Sequence, residues 1–117
     1  MQVGEICTRE VICANTETTI AAAAKLMRQY HIGDVIVTRE EQGRRIPLGI
    51  VTDRDVVLGV VAPELNPNTL TVGDIMGPEL VTAPETEDVF DAVQRMRNKG
   101  VRRIPIVQED GGLAGIL

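Results

Sequence analysis

Gly49-Ile50-Val51-Thr52-Asp53-Arg54-Asp55 is the stretch whose reading decides the fold. A run of β-formers stops at Thr-Asp-Arg-Asp, and a helical pattern with Val56, Val57, Leu58 and Val60 follows. A strand that feeds a helix start gathers a hydroxyl, a carboxylate and unpaired backbone N–H groups, a cradle suited to a ribose or a phosphate. Thr52 and Asp55 also stand at the spacing of a capping box, which needs no ligand. Seven residues leave both readings open.

Outward from this stretch, the chain repeats itself. Val3-Gly4-Glu5-Ile6 returns as Val72-Gly73-Asp74-Ile75, an offset of 69 residues. At that offset Val11-Ile12 falls on Leu80-Val81, Ala14 on Ala83, Ala23 on Ala92, Met27-Arg28 on Met96-Arg97, Ile32 on Val101 and Val37 on Ile106. After a shorter second turn, Gly49-Ile50-Val51 meets Gly115-Ile116-Leu117. Sustained register of this kind is an internal duplication. The copies are residues 1–61 and 71–117, with 62–70, rich in Pro and Asn, as the linker.

Each copy reads as β-α-β-β, and the first continues into a further helix. Short strands at Val11 to Ala14 and Leu80 to Ala83 lead to helices capped by Thr18 or Thr19 and by Thr86 or Asp88. Ile20, Ala23, Ala24 and Met27 make one apolar stripe, and Val89, Ala92, Val93 and Met96 repeat it. His31 stands where the first helix ends, favourable for a cation at the negative end of the dipole. Val35-Ile36-Val37 and Ile104-Pro105-Ile106-Val107 are buried strands. Polar connections at Glu40 to Arg45 and Glu109 to Gly112 lead to strands at Leu48 to Val51 and Leu113 to Leu117. Pro105 is expected at an edge or a bulge. One such copy cannot cover both faces of its sheet; two can, packed about a pseudo-twofold axis.

Composition removes several function classes. The 117 residues carry a net charge of −5, two aromatics (Tyr30 and Phe90) and two cysteines. An acidic chain without aromatic platforms is a poor nucleic-acid binder. No apolar run approaches the ~20 residues that span a bilayer, and the N-terminus lacks signal-peptide regions, so a cytoplasmic location is expected. Cys7 and Cys13 do not have zinc spacing and are read as small, partly buried apolar residues. With one histidine and no paired nucleophile and base, no catalytic residue and no metal site are expected.

The whole chain resembles a tandem pair of cystathionine-β-synthase (CBS) domains, the Bateman module. Gly49-Ile50-Val51-Thr52-Asp53-Arg54-Asp55 is similar to that family's G-h-h-T-x-x-D signature, with h apolar. Gly100-Val101-Arg102-Arg103-Ile104-Pro105-Ile106-Val107 is similar to its strand preceded by basic residues. The resemblance implies an α/β (α+β) fold of two β-α-β-β-α repeats, with the sheets back to back and the helices outside. It also implies binding of AMP, ADP, ATP or S-adenosylmethionine between the copies. Asp55 would take the ribose hydroxyls, and Thr52 would lie against ribose or phosphate. Ile50 and Leu80 would line the adenine, while Arg102 and Arg103 would meet the phosphates. Such a set is chemically coherent, since a carboxylate accepts two donors from a vicinal diol and guanidiniums grip phosphate oxygens.

At the repeat offset Arg102 and Arg103 correspond to Gly33 and Asp34, and the second copy stops before its own Thr-x-x-Asp. One competent site and one weak cleft are therefore expected. The implied function is a non-catalytic energy or metabolite sensor that needs no cofactor and regulates an unknown protein, as a homodimer. The alternatives are a ligand-free dimerisation or interaction scaffold, or a regulatory fragment of a larger enzyme or transporter.

Overall fold

The computed structural model describes Met1–Leu117. In chain order it contains α1 (Val3–Ile6), β1 (Cys13–Ala14), α2 (Ile20–Tyr30), β2 (Asp34–Glu41), β3 (Arg44–Thr52) and α3 (Asp53–Val56). A π-helical segment (Val57–Val61) follows, then α4 (Val72–Ile75), β4 (Ala83–Pro84), α5 (Val89–Lys99), β5 (Pro105–Val107) and β6 (Leu113–Ile116). The strands form two three-stranded sheets, β1-β2-β3 and β4-β5-β6. In each, the short first strand runs parallel to the central one. The fold is mixed α/β, and no helix is long and apolar enough to cross a membrane.

The two long helices are built alike. Thr19 caps α2 by accepting from Ala22 N at 3.1 Å, and Asp88 caps α5 by accepting from Phe90 N at 3.0 Å. Each helix ends in a left-handed residue, His31 at φ 54° and Gly100 at φ 70°, again 69 positions apart. Ile20, Ala23, Met27 and Ala92 are buried, as the stripes require. Ala24 and its counterpart Val93 are exposed instead, so each buried stripe is narrower than the periodicity suggests.

The strands also depart from the sequence reading. Thr38 to Glu41 and Arg44 to Pro47 read as loop and flank, yet they belong to the arms of a long hairpin. Its turn is only Gln42-Gly43, both with positive φ (52° and 77°). Two left-handed central residues give the turn whose twist matches the flanking strands. Conversely, β1 and β4 are two residues each, and Leu80 and Val81 precede β4 rather than form it. Pro105 is not at a sheet edge: it is the first residue of the central strand β5, where a missing N–H is tolerated. The register shift falls one step on, between Ile106 and Val107.

Chain segments sort into two compact units that do not coincide with the sequence copies. One unit comprises Met1–Val11, Glu40–Pro47 and Val81–Leu117; the other comprises Ile12–Arg39 and Leu48–Leu80. In the first, Val3 is fully buried beside Ala83, Ala92, Ile104 and Ile106. In the second, Val72 is fully buried among Ile20, Ala23, Val35, Val37 and Val51. Burying one such valine contributes about 1.5–3 kcal/mol. Each copy's first helix thus completes the core of the other copy.

Backbone hydrogen bonds make this exchange symmetric to the residue. Val3 N donates to Glu87 O at 2.9 Å, Gly4 N to Glu85 O at 2.9 Å and Val89 N to Met1 O at 2.8 Å. In the other unit Val72 N donates to Thr18 O at 2.8 Å, Gly73 N to Thr16 O at 3.0 Å and Ile20 N to Leu70 O at 2.9 Å. Every donor and acceptor in the second set is 69 positions from its equivalent in the first. The first unit carries two further ties. Arg9 bonds Glu85, Gly4 O and Ala114 O, and the Glu85 hydrogen bond together with nearby Cys7 holds its guanidinium pKa above the usual value. Arg44 Nη1 donates to Asp110 O at 2.9 Å.

Candidate functional site

β3 ends as its sequence dictates. Pro47, Gly49 and Val51 are buried on one face, while Leu48, Ile50 and Thr52 alternate onto the other and are half-buried. Gly49 leaves room there for a neighbouring side chain: a Cβ would stand 2.8 Å from Met76 Sδ. Thr52, the last strand residue, is also the N-cap of α3, with extended backbone (φ −105°, ψ 164°). Its Oγ1 accepts from Asp55 N at 3.1 Å, and Asp55 Oδ2 accepts from Thr52 N at 2.9 Å. The capping-box reading of this pair is therefore correct. The box uses one carboxylate oxygen of an exposed residue; Asp55 Oδ1 accepts from no protein donor. An ionised carboxylate retains several acceptor sites after one bond, so capping and ligand binding are chemically compatible.

Of the six candidate residues, Ile50, Thr52 and Asp55 lie together at this corner. Leu80 belongs to the same compact unit and is half-buried in the coil between α4 and β4. Arg102 and Arg103 belong to the other unit, exposed in the irregular connection between α5 and β5. Because that connection is not yet strand, the two side chains are not forced to opposite faces as consecutive strand residues would be.

Two features of the corner escape the sequence reading. Asp53 N donates to Gly33 O at 2.9 Å, and the Asp53 carboxylate packs so closely that a Cβ on Gly33 would lie 3.1 Å from Oδ2. Asp53 Oδ1 in turn accepts from Arg54 N at 2.8 Å. Gly33 thus gives the corner its backing; a Gly-Asp pair ahead of a strand is the only hint of this in the sequence. The second feature is a duplicate of the box. Thr71 Oγ1 accepts from Asp74 N at 3.3 Å and Asp74 Oδ2 accepts from Thr71 N at 2.9 Å, at the start of α4. Thr-x-x-Asp closes on itself in both places.

Comparison with known proteins places this geometry in a family. The CBS domain profile matches residues 3–61 and again 72–117. An uncharacterised protein of Methanopyrus kandleri is 41% identical over the whole chain, which spans 58% of that protein's length. Among solved structures, a CBS domain protein of Pyrobaculum aerophilum complexed with AMP superposes with a TM-score of 0.88 at 24% identity, covering 100% of this chain and 86% of that one. The CBS domain pair of protein MJ0100, in complex with 5′-methylthioadenosine and S-adenosyl-L-methionine, superposes with a TM-score of 0.82 at 25% identity, covering 100% and 88%. Two profile matches, one per copy, with a fold shared along the full chain make this protein a tandem pair of CBS domains.

Proposed function

We propose that this CBS pair is a regulatory module that binds an adenosyl ligand, AMP, ADP, ATP or S-adenosylmethionine, and carries out no reaction of its own. The observation that carries the proposal is the open oxygen of Asp55, exposed at the strand-to-helix corner beside Thr52 and Ile50. A vicinal diol offers two donors to such a carboxylate, and an aliphatic wall accepts a purine face without aromatic residues. The pair of protein MJ0100 with its two adenosyl ligands is a related precedent. Within the proposal Ile50 and Leu80 contact the base, Thr52 and Asp55 the ribose, and Arg102 and Arg103 any phosphate. A cytoplasmic homodimer that passes occupancy to a regulated protein completes it.

A second reading is a ligand-free interaction scaffold. The duplicate box at Thr71 and Asp74 favours it, because the same closure occurs there with no ligand role proposed. Thermal denaturation with a panel of adenosyl compounds separates the two. A sensor gains stability by RT ln(1 + [L]/Kd) and loses that gain in Asp55→Asn, whereas a scaffold has no gain to lose.

A further inference from the structure

The two long helices agree where they meet their cores and differ where they face outward. Ala23 and Ala92, 69 positions apart, are both buried, and Met27 and Met96 both pack on their cores. On the outward side, Ala21, Ala22, Ala24 and Lys25 of α2 become Phe90, Asp91, Val93 and Gln94 of α5. Two alanines thus give way to larger apolar side chains that have no core to fill: Phe90 is 68% exposed and Val93 43%. With Arg97 they follow i, i+3, i+7 spacing, one stripe along the helix.

The ends of α5 carry opposite charge. Asp91 lies in its first turn and Arg97 in its last, whereas α2 has Arg28 in its last turn and no acid in its first. Arg95 is already engaged, donating to Thr82 O at 2.8 Å and to Glu87 Oε1 at 2.9 Å. That clasp and the Asp88 cap fix the helix on its own unit, so its outward face is presented in one orientation. Asp91 and Arg97 form no ion pair within the chain.

A helix that is acidic at one end, apolar along its middle and basic at the other is complementary to itself reversed. A twofold axis across Gln94 sets Asp91 of each helix opposite Arg97 of the other, and an isologous contact repeats that pairing twice. The same axis brings Val93 beside its own copy and Phe90 under the opposite guanidinium, where a ring face attracts a cation. The equivalent axis across α2 would instead set Lys25 against Lys25, with only alanines beside it.

We propose that the outward face of α5 is the surface on which a second copy of this chain docks, the two helices packing antiparallel about a twofold axis. Phe90 and Val93 are then covered, and each Asp91 meets the other copy's Arg97. The proposal names the surface of the homodimer in the function proposed above; it rests on that part of the reading and is independent of the adenosyl ligand.

Sedimentation equilibrium of the full chain tests it. The wild-type protein is expected to be dimeric. Asp91→Arg and Arg97→Asp each create two like-charge pairs, and each is expected to weaken dimerisation by roughly tenfold or more. An equimolar mixture of the two variants restores both opposite-charge pairs, so it is expected to regain the dimer, with one chain of each kind by native mass spectrometry. Phe90→Ser, a change at an exposed position, serves if a charge reversal does not fold, and is also expected to weaken the dimer. A dimer that survives these substitutions, or a mixture of the charge variants that stays monomeric, overturns the α5 surface and leaves the homodimer to form elsewhere. A monomeric wild type overturns the surface and the homodimer together.

Discussion

Thr71 and Asp74 hold each other through the same two hydrogen bonds that join Thr52 to Asp55, so the chain contains its own control for the candidate site. Each aspartate is exposed, and each satisfies the N-cap backbone N–H of a four-residue helix. Asp55→Ala and Asp74→Ala are expected to destabilise the protein by similar amounts, about 0.5–2 kcal/mol by the usual worth of a cap. Urea denaturation checks this. Markedly unequal losses would mean that Asp55 has a structural role beyond capping.

The exchanged first helices predict where glycine is indispensable. At Gly73 a Cβ would stand 2.7 Å from Thr16 O, and at Gly4 it would stand 3.0 Å from Glu85 O and Glu85 Cβ. Backbone cannot yield as a side chain does, so both alanine variants are expected to lose stability. Gly73→Ala should lose more, on the order of 1–3 kcal/mol. Gly49 and Gly115 are also equivalent positions, but they meet different neighbours. Gly49→Ala presses on Met76 Sδ, which can swing away, whereas Gly115→Ala also meets Thr8 O at 2.7 Å. Gly115→Ala should therefore be the costlier of the two in the same denaturation assay.

His31 and Gly100 end their helices in the same left-handed conformation. A side chain there costs what glycine does not. His31→Gly is expected to raise stability by about 0.5–1 kcal/mol, and Gly100→Ala to lower it by about 1 kcal/mol. Thermal melts of both variants decide the matter. A His31→Gly protein less stable than wild type would show that the imidazole contributes contacts of its own.

The duplication, the two long helices and their caps are legible in the sequence because each rests on local chemistry. Thr19, Asp88, His31 and Gly100 act within one helical turn of themselves. The exchange of α1 and α4 is not legible. Val3 and Val72 announce that they are buried, but an apolar pattern does not say in which core. The hairpin arms were hidden for a different reason. Arg39, Glu40 and Glu41 are exposed strand residues whose charge imitates a loop, and the two-residue turn at Gln42-Gly43 is shorter than that charge suggests. At the site, the T-x-x-D spacing correctly announces a cap. It is silent on Gly33, whose contact with Asp53 is formed by chain distant in sequence.

Arg102 and Arg103 give the proposed ligand class a charge signature. If guanidiniums meet phosphate, Arg102→Ala with Arg103→Ala should weaken AMP binding roughly tenfold or more, by the 1.5–3 kcal/mol worth of charged hydrogen bonds. Binding of 5′-methylthioadenosine, which carries no phosphate, should change little. Calorimetric titration of the double variant with both ligands checks it. Equal losses for the two would assign the arginines to folding rather than to phosphate.

Isothermal titration of wild-type protein, Asp55→Asn and Asp74→Asn with AMP, ATP, 5′-methylthioadenosine and S-adenosylmethionine tests the central claim most directly. Saturable binding of at least one of these at a single site, retained in Asp74→Asn and lost in Asp55→Asn, is the result expected. No binding up to millimolar ligand, or equal binding by both variants, would contradict a ribose held by Asp55 and leave the corner as a helix cap alone.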